Sequence, residues 1–561
     1  MVSKNIYLEK VIPQIPRILG NQDRMPYSPS YGCFDRIYWL DKVIDFPTSL
    51  AQYGVHSLAL VYKHEFVNNQ YYQQPKIRDW AIAGIEYWMK IQHSDGSFDE
   101  YYPNERGWAG PTGFLLYAMI ASYELLSDEF PSGMKDSFFK ACHKSAKYLA
   151  DYDEVNVLAN HHVMAALPII KAYDLLGEKK LIDDYNKKVD EFLKFHTEEG
   201  WSYEYGGADP GYLSATISFF SKIYKLRPSD KVFNIIKQAI EFASYFVYPN
   251  KFYAGTIGSR QTLHFYPHGF EIMSHEIPLA GAMAEKMLEG LSEGKLVTPE
   301  IMADRYLYYR TNEYLLSYLD HKPRLESLPD LPYERSSFIK YFPLAKIEIR
   351  KNPDFYSLVN LAKGGVIKIF DLNKNELLYN DCGVIAVLEK SNQVVTSQWI
   401  ENDFKIDVSD NSLTIVGHLN RIPLKYFTPF KNIIFRSFLL LFGWNTKLSY
   451  WIKGFIRKLL VVGTRLVPII IKRSIRFADN IVTIEDLLTL EGNITVKSLF
   501  ISDEFSVRFV PQSLYFQSQE LGVNGYNIED KYIAIINNTK QLTVKRIVDT
   551  SNGEISFSIE E

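Results

Sequence analysis

Hydrophobic residues recur at spacings of three and four between about residue 40 and residue 325. This period predicts amphipathic helices. It is clearest in the segments AIAGIEYWMKIQ (81–92), FFKACHKSAKYLADY (138–152), VMAALPIIKAYDLLG (163–177), KKVDEFLKFH (187–196), LSATISFFSKIYKL (213–226) and FNIIKQAIEFASYFV (233–247). Polar loops recur between them, centred near Asp95, Asp151, Glu199 and Gly255, at intervals of 56, 48 and 56 residues. Such intervals predict stacked helical hairpins, in a solenoid or a closed ring, whose loops emerge on one face.

From about residue 335 the hydrophobic period changes to two. Short β-branched runs alternate with Asn, Asp, Gly and Lys: LAKIEIRK, YSLVNLAK, GGVIKIFDL, CGVIAVLEK, QVVTSQWI, FKIDVSD, NIVTIEDLLTL, NITVKSLFI, FSVRFVP and KYIAIINN. Many short strands with turn signals between them predict an antiparallel β-sandwich. The three prolines of 323–340 predict a linker between the two parts.

Composition narrows the possible classes of function. The 561 residues carry a net charge of -4, which argues against a general nucleic-acid binder. Aromatic residues make up 15% of the chain, and 39 of them are Tyr; they suit either stacking on sugar rings or large aromatic cores. Three widely spaced cysteines favour a reducing compartment. The charges scattered through the first 22 residues argue against a signal peptide. We therefore expect a cytoplasmic protein.

Two of the recurring loops share a sequence frame. Each reads acid-Gly, three residues, then Glu-Tyr: Asp95-Gly96 to Glu100-Tyr101, and Glu199-Gly200 to Glu204-Tyr205. The loops together supply the candidate site. The residues proposed for catalysis are Tyr212, His161, Asn160, Arg260 and His264, and those proposed for substrate binding are Tyr203, Glu204, Tyr205, Asp209, His162, His268, Glu100, Tyr101 and Trp108.

No metal or cofactor is predicted for this set. His161 and His162 are adjacent and cannot easily chelate one ion together. His264 and His268 have a helical spacing, but the flanking Pro267 and Gly269 argue against a helix there. The sequence also lacks a G-x-S-x-G motif, a P-loop and a dinucleotide fingerprint. For Asn160 and the histidines beside it, capping and packing of a helix is the alternative interpretation.

Asn, His, Tyr and Arg together suit β-elimination from a uronate sugar. Removing the C5 proton requires that the neighbouring carboxylate be neutralised by an amide, imidazolium or guanidinium. A base then takes the proton, and an acid protonates the departing O4. Tyrosine can serve in either role if a cation lowers its pKa from about 10. C5 epimerisation shares the first step.

With these residues in view, the chain resembles the heparinase II/III-like group of polysaccharide lyases over about residues 35–560. The local matches are Asn160-His161 at a hairpin mouth and the turn Glu204…Pro210-Gly211-Tyr212. The resemblance implies an (α/α) toroid of helical hairpins followed by an antiparallel β-sandwich. The corresponding expectation is an N-terminal arm at 1–34, a toroid domain at 35–330 and a sandwich domain at 335–561.

The resemblance also implies roles. It assigns the family's tyrosine to Tyr212, the carboxylate neutraliser to Asn160 or His161, and an assisting arginine to Arg260. Many family members place a catalytic histidine on the sandwich, where this sequence has only His418, in a strand-like run. A base from His264 or His268 would have to replace it.

A basic, apolar insert interrupts the second half at about 421–478. Between Asn411 and Ala478 there are twelve Lys or Arg and no Asp or Glu. Three interpretations of the insert are open. It is a set of strands or a packed helix with solvated charges, or a cationic cradle for an acidic glycan, or a segment that lies on an anionic membrane surface.

These observations predict a carbohydrate-active enzyme of heparinase II/III-like type. It would act on a uronate-containing polysaccharide or lipid-linked oligosaccharide, by lyase or C5-epimerase chemistry, within polysaccharide biosynthesis. Its partners would be the acidic glycan and, through 421–478, the inner face of a membrane. The alternatives are a toroid glycoside hydrolase with paired carboxylates and a non-catalytic, membrane-associated glycan-binding protein.

Overall fold

The structure is a computed structural model. It describes residues 2–106, 108–152, 158–400, 403–422, 428–457, 465–503, 515–522 and 525–560, with the backbone alone at 453, 456, 457 and 520.

The first 320 residues are mainly helical, as the period of three and four predicts. The helices are α1 (Asn5–Val11), α2 (Ile15–Asn21), α3 (Gly54–Lys63), α4 (Pro75–Ile91), α5 (Ala109–Leu126), α6 (Ser132–Asp151), α7 (Ala159–Leu176), α8 (Lys180–Leu193), α9 (Pro210–Leu226), α10 (Asp230–Ser244), α11 (Pro267–Ile272), α12 (Pro278–Ser292) and α13 (Asp304–Asp320). A small hairpin of β1 (Tyr203–Glu204) and β2 (Gly207–Ala208) lies between α8 and α9.

The helices close into a ring. In the described part of the chain, six inner helices contact one another in the order α3, α5, α7, α9, α11, α13, and α13 returns to α3. Helices α4, α6, α8 and α10 form the outer layer, each packed on an inner neighbour. The outer helices α8 and α10 bury one face, whereas α7 and α9 are buried on nearly all sides through their first fourteen residues. A helix that is apolar all round belongs between two layers, so the sequence itself sorts inner helices from outer ones.

The acid-Gly frame marks a structural repeat in the loops at the mouth of the ring. Gly96 and Gly200 both have φ of +92°. A Cβ at Gly96 would lie 2.2 Å from the carbonyl oxygen of Lys144, and one at Gly200 would lie 2.1 Å from that of Gln238. Only glycine allows both the positive φ and this close approach to an outer helix. The same turn therefore anchors two loops at equivalent places in the ring.

The second half is an antiparallel sandwich of two sheets. The smaller sheet has the order β3-β4-β5-β6-β7, formed by β3 (Phe338–Phe342), β4 (Ile347–Lys351), β5 (Phe355–Asn360), β6 (Val366–Asp371) and β7 (Glu376–Asp381). The larger sheet has the order β15-β14-β8-β9-β11-β12-β13-β16-β17, with β10 paired to β11. Its strands are β8 (Gly383–Leu388), β9 (Val394–Thr396), β10 (Lys405–Ser409), β11 (Ser412–Arg421), β12 (Leu466–Ala478), β13 (Ile481–Leu490), β14 (Val496–Ser502), β15 (Tyr526–Asn527), β16 (Gln541–Asp549) and β17 (Ile555–Glu560).

Apolar side chains of alternating strand positions fill the space between the two sheets. Val359 and Ile367 of the smaller sheet belong to one buried cluster with Ile415 and Ile484 of the larger. A second cluster lies against α16 (Asp530–Thr539) and includes Ile533 and Ile536.

Two runs predicted as strands in this half have no counterpart among the described strands. The strand prediction for KYIAIINN (531–538) is wrong, because this run lies within α16. The buried Ile533 and Ile536 are three positions apart, as on one face of a helix. In a run of only eight residues, this pattern is hard to distinguish from the alternating pattern of a strand. The predicted strand FSVRFVP (505–511) lies outside the described residues.

The described residues of the basic, apolar insert fall into two structural parts. Residues 466–478 form β12, a central strand of the larger sheet. Helices α14 (Pro429–Phe442) and α15 (Thr446–Arg457) precede it. None of the described helices combines the length and apolarity that crossing a membrane requires.

Candidate functional site

A pocket opens at the mouth of the ring, where the recurring loops meet. It has an empty volume of about 690 Å³, part of which is open to solvent. Its lining residues are Leu50, Glu100, Tyr101, Trp108, Gly110, Pro111, Phe114, Asn160, His161, Met164, Tyr205, Tyr212, Ala215, Phe219, Tyr266, Arg305, Tyr306 and Tyr309. Most of those on helices come from the first turns of α5, α7, α9 and α13, so four helix N-termini converge on the pocket. Because a helix N-terminus carries a partial positive charge, this arrangement favours an anionic ligand.

Asn160 is held in place by a neighbouring loop. Its backbone N–H donates to Oε1 of Glu204 at 2.6 Å. This places the Glu204 carboxylate, 1% exposed, at the N-terminus of α7. Nδ2 of Asn160 is buried in the pocket lining and has no hydrogen-bond partner among the described residues. A buried amide without a partner costs free energy unless a ligand supplies the acceptor.

Tyr212 stands in the first turn of α9. Asp209 caps this helix by accepting from the Tyr212 backbone N–H at 3.0 Å, and Pro210 occupies its first position. Burial raises the pKa of Asp209 to about 6, against the hydrogen bonds from the Tyr212 and Arg260 backbone N–H groups. The Tyr212 ring lies 5.7 Å from that of Tyr205, and the Arg260 guanidinium lies 4.7 Å from the Tyr205 ring centroid. Arg260 therefore supports the pocket through Tyr205, from behind the lining.

An aromatic and charged wall faces these residues. Trp108 stacks on Tyr101 at 4.8 Å and lies 6.2 Å from the His161 ring. The Arg305 guanidinium lies 4.0 Å from the Tyr101 ring centroid and forms an ion pair with Glu100 at 2.6 Å. Burial raises the pKa of Glu100 to about 7, although the Arg305 charge opposes the shift. The wall thus combines flat aromatic surfaces with one guanidinium and a carboxyl that titrates near neutral pH.

The structure brings together seven of the fourteen predicted residues in the pocket lining: Asn160, His161, Tyr205, Tyr212, Glu100, Tyr101 and Trp108. Glu204, Asp209 and Arg260 lie directly behind it and contact lining residues.

The remaining four predicted residues do not line the pocket. His162 stacks on Phe195, and Tyr203 is 41% exposed beside Trp201. His264 is buried 5.3 Å from the Tyr515 ring. His268 is hydrogen-bonded to Asp320 at 2.7 Å, within α11.

The helix at His268 corrects the expectation drawn from Pro267 and Gly269. Pro267 occupies the first helical position. A backbone N–H at this position has no acceptor within the helix, so proline is tolerated there. His418 lies on β11 and bonds to Asp403 at 2.6 Å, outside the pocket lining. Among the described residues, no group of three or more His, Cys, Asp or Glu side chains is placed to hold a metal ion.

Sequence reasoning missed one side of the pocket. Arg305, Tyr306 and Tyr309 come from α13, and Tyr266 precedes α11. The loop before α13 has an acid-Gly pair, Glu293-Gly294, but no Glu-Tyr three residues after it, so the repeat did not indicate this loop. The signal that could have found them is the run RYLYYR at 305–310, whose aromatic residues open a helix of the inner ring.

No protein-family model matches the sequence, and no curated protein matches it. Among solved structures, the chain is similar to the chondroitin AC lyase of Streptomyces coelicolor A3 in complex with chondroitin sulphate. The TM-score is 0.55 at 10% identity, over 89% of this chain and 68% of that one. A second structure of that enzyme gives a TM-score of 0.51. The chain has the fold of a polysaccharide lyase.

The predicted toroid and sandwich are thereby confirmed as a polysaccharide lyase fold. The structure of heparinase III is also similar, with a TM-score of 0.44 and 11% identity, over 100% of this chain and 90% of that one. At 10% identity, the similarity to chondroitin AC lyase shows the fold alone, and the reaction has to be argued from the site itself.

Proposed function

We propose that the protein is a carbohydrate-active enzyme that removes the C5 proton of a uronate residue in an acidic glycan. The observation that carries this proposal is the convergence of Asn160, His161 and Tyr212 in one pocket, at the N-termini of two inner helices. Chondroitin AC lyase, which shares the fold, has been solved with the acidic polysaccharide chondroitin sulphate.

The first requirement of this chemistry is neutralisation of the uronate carboxylate. In our proposal the Asn160 amide donates to it from Nδ2, and His161 lies beside Asn160 on the same helix turn. The N-terminal end of α7 adds its partial positive charge. Because these donors are fixed before the substrate arrives, they stabilise the enolate-like transition state without reorganising.

The second requirement is a group that moves the proton. Tyr212 lines the pocket and is the phenol placed nearest the α9 N-terminus. In the proposed elimination it takes the C5 proton as a phenolate. The C5–H electron pair forms the C4–C5 double bond, the C4–O4 bond breaks, and the proton is returned to O4. Proton transfer of this kind contributes about 10² to 10⁴ in rate.

Epimerisation shares the first step and differs in the second. It returns a proton to C5 from the opposite face of the ring, which leaves the glycosidic bond intact. Tyr205 and the α13 residues Tyr306 and Tyr309 are pocket-lining phenols available for that role.

Hydrolysis by paired carboxylates has less support from the geometry. Of the described residues that line the pocket, Glu100 is the only carboxylic acid. Glu204 and Asp209 are engaged at the N-termini of α7 and α9. A hydrolase needs a second carboxyl about 5 to 10 Å from the first.

The biological setting is also a proposal. The three buried, free cysteines suit a reducing compartment, and we propose an enzyme of polysaccharide biosynthesis there, acting on a polymer or on a lipid-linked oligosaccharide. Exposed apolar side chains on α14 and α15 support attachment to an anionic membrane.

The test incubates chondroitin, hyaluronan, heparosan or alginate with the protein in heavy water. Ultraviolet absorbance of the unsaturated uronate reports elimination, and deuterium at C5, read by mass spectrometry and NMR, reports epimerisation. We expect one of these two signals with the wild type, its loss in Tyr212→Phe, and its retention in Tyr203→Phe, a tyrosine outside the pocket. Release of reducing ends with neither signal, abolished by Glu100→Gln and retained by Tyr212→Phe, would establish hydrolysis instead.

A further inference from the structure

Among the residues that the structure describes, the largest concentration of exposed apolar side chains lies on α14 and α15 and the turn between them. Nine large hydrophobic residues are at least 45% exposed there: Phe430, Ile433, Ile434, Leu440, Leu441, Phe442, Trp444, Trp451 and Phe455. On α14, Phe430, Ile433 and Leu440 recur at helical spacings and so share one side of the helix. Soluble surfaces rarely leave an apolar patch of this extent unless something covers it.

The charged residues within the two helices have a single sign. The segment 429–457 contains five Lys or Arg and no Asp or Glu. Lys431 and Lys447 are exposed and have no ion pair among the described residues. Tryptophan and phenylalanine interleaved with lysine and arginine form the pattern of a helix that lies in the headgroup region of a membrane. The exposed apolar and basic side chains are thus complementary to a bilayer, which has an apolar interior and an anionic headgroup layer.

The two helices are anchored to the body of the protein on their other side. Leu439 is fully buried, and the Phe435 ring lies 5.3 Å from that of Tyr102. Arg436 forms an ion pair with Asp45. A side-chain carbon at Gly443 would lie only 2.8 Å from the Cβ of Asn104. The hairpin is therefore docked through one face while the other remains open.

We propose that α14 and α15 form a platform that binds an anionic lipid bilayer, with their aromatic side chains inserted at the headgroup boundary and their lysines on the lipid phosphates. The platform rests on the loop of Tyr102 and Asn104, which also carries Tyr101 and Trp108 of the pocket. Membrane binding therefore places the pocket wall close to the bilayer. This consequence rests on the proposed function, and it identifies the substrate class as an acidic glycan attached to a lipid.

The test uses the full chain and vesicles of phosphatidylcholine, with or without phosphatidylglycerol, in a flotation assay at low and high salt. We expect flotation with the anionic vesicles at low salt and a large loss at high salt. Lys431→Glu and Lys447→Glu should each weaken binding by about fivefold or more. Trp444→Ser with Trp451→Ser should reduce it further at either salt concentration. Ile301→Ser and Ile339→Ser are the matched controls, since both residues are exposed apolar positions outside the platform.

Folding of each variant is checked by its thermal melt, so that loss of binding is not confused with unfolding. A well-folded wild type that fails to float with anionic vesicles at low salt would overturn the proposal. So would a dimer in sedimentation velocity that Trp444→Ser dissolves, because a second copy would then be what covers the patch. Elimination or C5 epimerisation of a free glycan stays unchanged in the platform variants, so failure here is distinct from failure of the proposed chemistry.

Discussion

The Glu204 carboxylate accepts the backbone N–H of Asn160 at 2.6 Å, so the loop of one hairpin caps the inner helix of its neighbour. Glu204 is 44 residues further along the chain and almost completely buried. Its negative charge at the start of α7 matches the partial positive charge of the helix. The contact fixes the residue whose amide faces the pocket, and it holds the Glu204 carboxylate behind the pocket lining.

Removing this cap should destabilise the protein. We expect Glu204→Ala to lower the free energy of unfolding by about 1–3 kcal/mol, because a buried N–H loses its acceptor and the helix loses a charge. Glu204→Gln keeps an acceptor and should lose less. Denaturant titration of the three proteins measures the difference. Equal stability of wild type and Glu204→Ala would show that the cap is not important.

The sequence could predict much of this site because its repeat has a physical cause. Gly96 and Gly200 each meet a carbonyl of an outer helix, so equivalent loops must start at equivalent points of the ring. That placed Asn160 and Tyr212 at one mouth. The repeat could not orient side chains: His162 follows His161 directly yet packs on Phe195, because adjacent helical positions face about 100° apart.

Other parts of the structure left no periodic trace. Arg305 occupies the first turn of α13, but the acid-Gly pair of the preceding loop, Glu293-Gly294, has no Glu-Tyr after it, and a Cβ at Gly294 would meet no atom within 4 Å. The basic insert has one composition throughout and yet divides into two helices and a central strand. The composition of a segment reflects the solvent or ligand that it contacts. Its secondary structure depends on its hydrogen-bond partners, and 466–478 form a strand because they pair with β11 and β13.

The Asn160 amide offers a direct test of carboxylate neutralisation. We expect Asn160→Ala to lower kcat/KM by about 10²- to 10³-fold, the usual loss when one donor to a developing oxyanion is removed. Thermal stability should change little, because Nδ2 has no partner among the described residues and alanine favours helices. Steady-state kinetics and a thermal melt are measured together. A stable variant with full activity would remove Asn160 from the proposed mechanism.

The pair of Glu100 and Arg305 predicts a pH dependence of glycan binding. Burial raises the pKa of Glu100 to about 7, so its carboxyl is ionised above that pH and neutralises Arg305. Below pH 7 it takes up a proton, and the Arg305 charge becomes available to an acidic ligand. In a Tyr212→Phe background, which prevents turnover, binding should tighten as the pH falls from 8 to 6.

Two variants check the assignment of that pH dependence. Glu100→Gln should bind tightly and almost equally at both pH values, and Arg305→Met should bind weakly at both. Titration calorimetry with the glycan that binds most tightly gives the dissociation constants. Glu100 also makes a pH-dependent contribution to stability: because its folded pKa lies above the unfolded value of 4.5, that contribution falls as the pH rises from 4.5 to 7. A binding constant independent of pH in the wild type would contradict the role of this pair.

Lys363 connects the sandwich to the loop behind the pocket. It is 1% exposed, and its Nζ donates to the carbonyl oxygens of Thr256 at 2.7 Å and Gly258 at 2.8 Å. The same loop continues to Arg260, which lies against Tyr205. Burial lowers the pKa of Lys363 to about 7, and a neutral amine still has the two N–H groups that these carbonyls need.

We therefore expect Lys363→Met to be both less stable and less active. Two buried carbonyls lose their donor, at about 1–3 kcal/mol for each group left unsatisfied, and the support of Arg260 loosens. Because the folded pKa lies below the unfolded value of 10.5, the wild type should gain stability between pH 7 and 10, by at most about 1.4 kcal/mol per pH unit from this group. Denaturation at several pH values should show that this gain is absent in Lys363→Met and present in Lys405→Met, an exposed lysine of β10. Identical pH profiles in the wild type and Lys363→Met would mean that the amine is not titrating there and that the loop is held by other contacts.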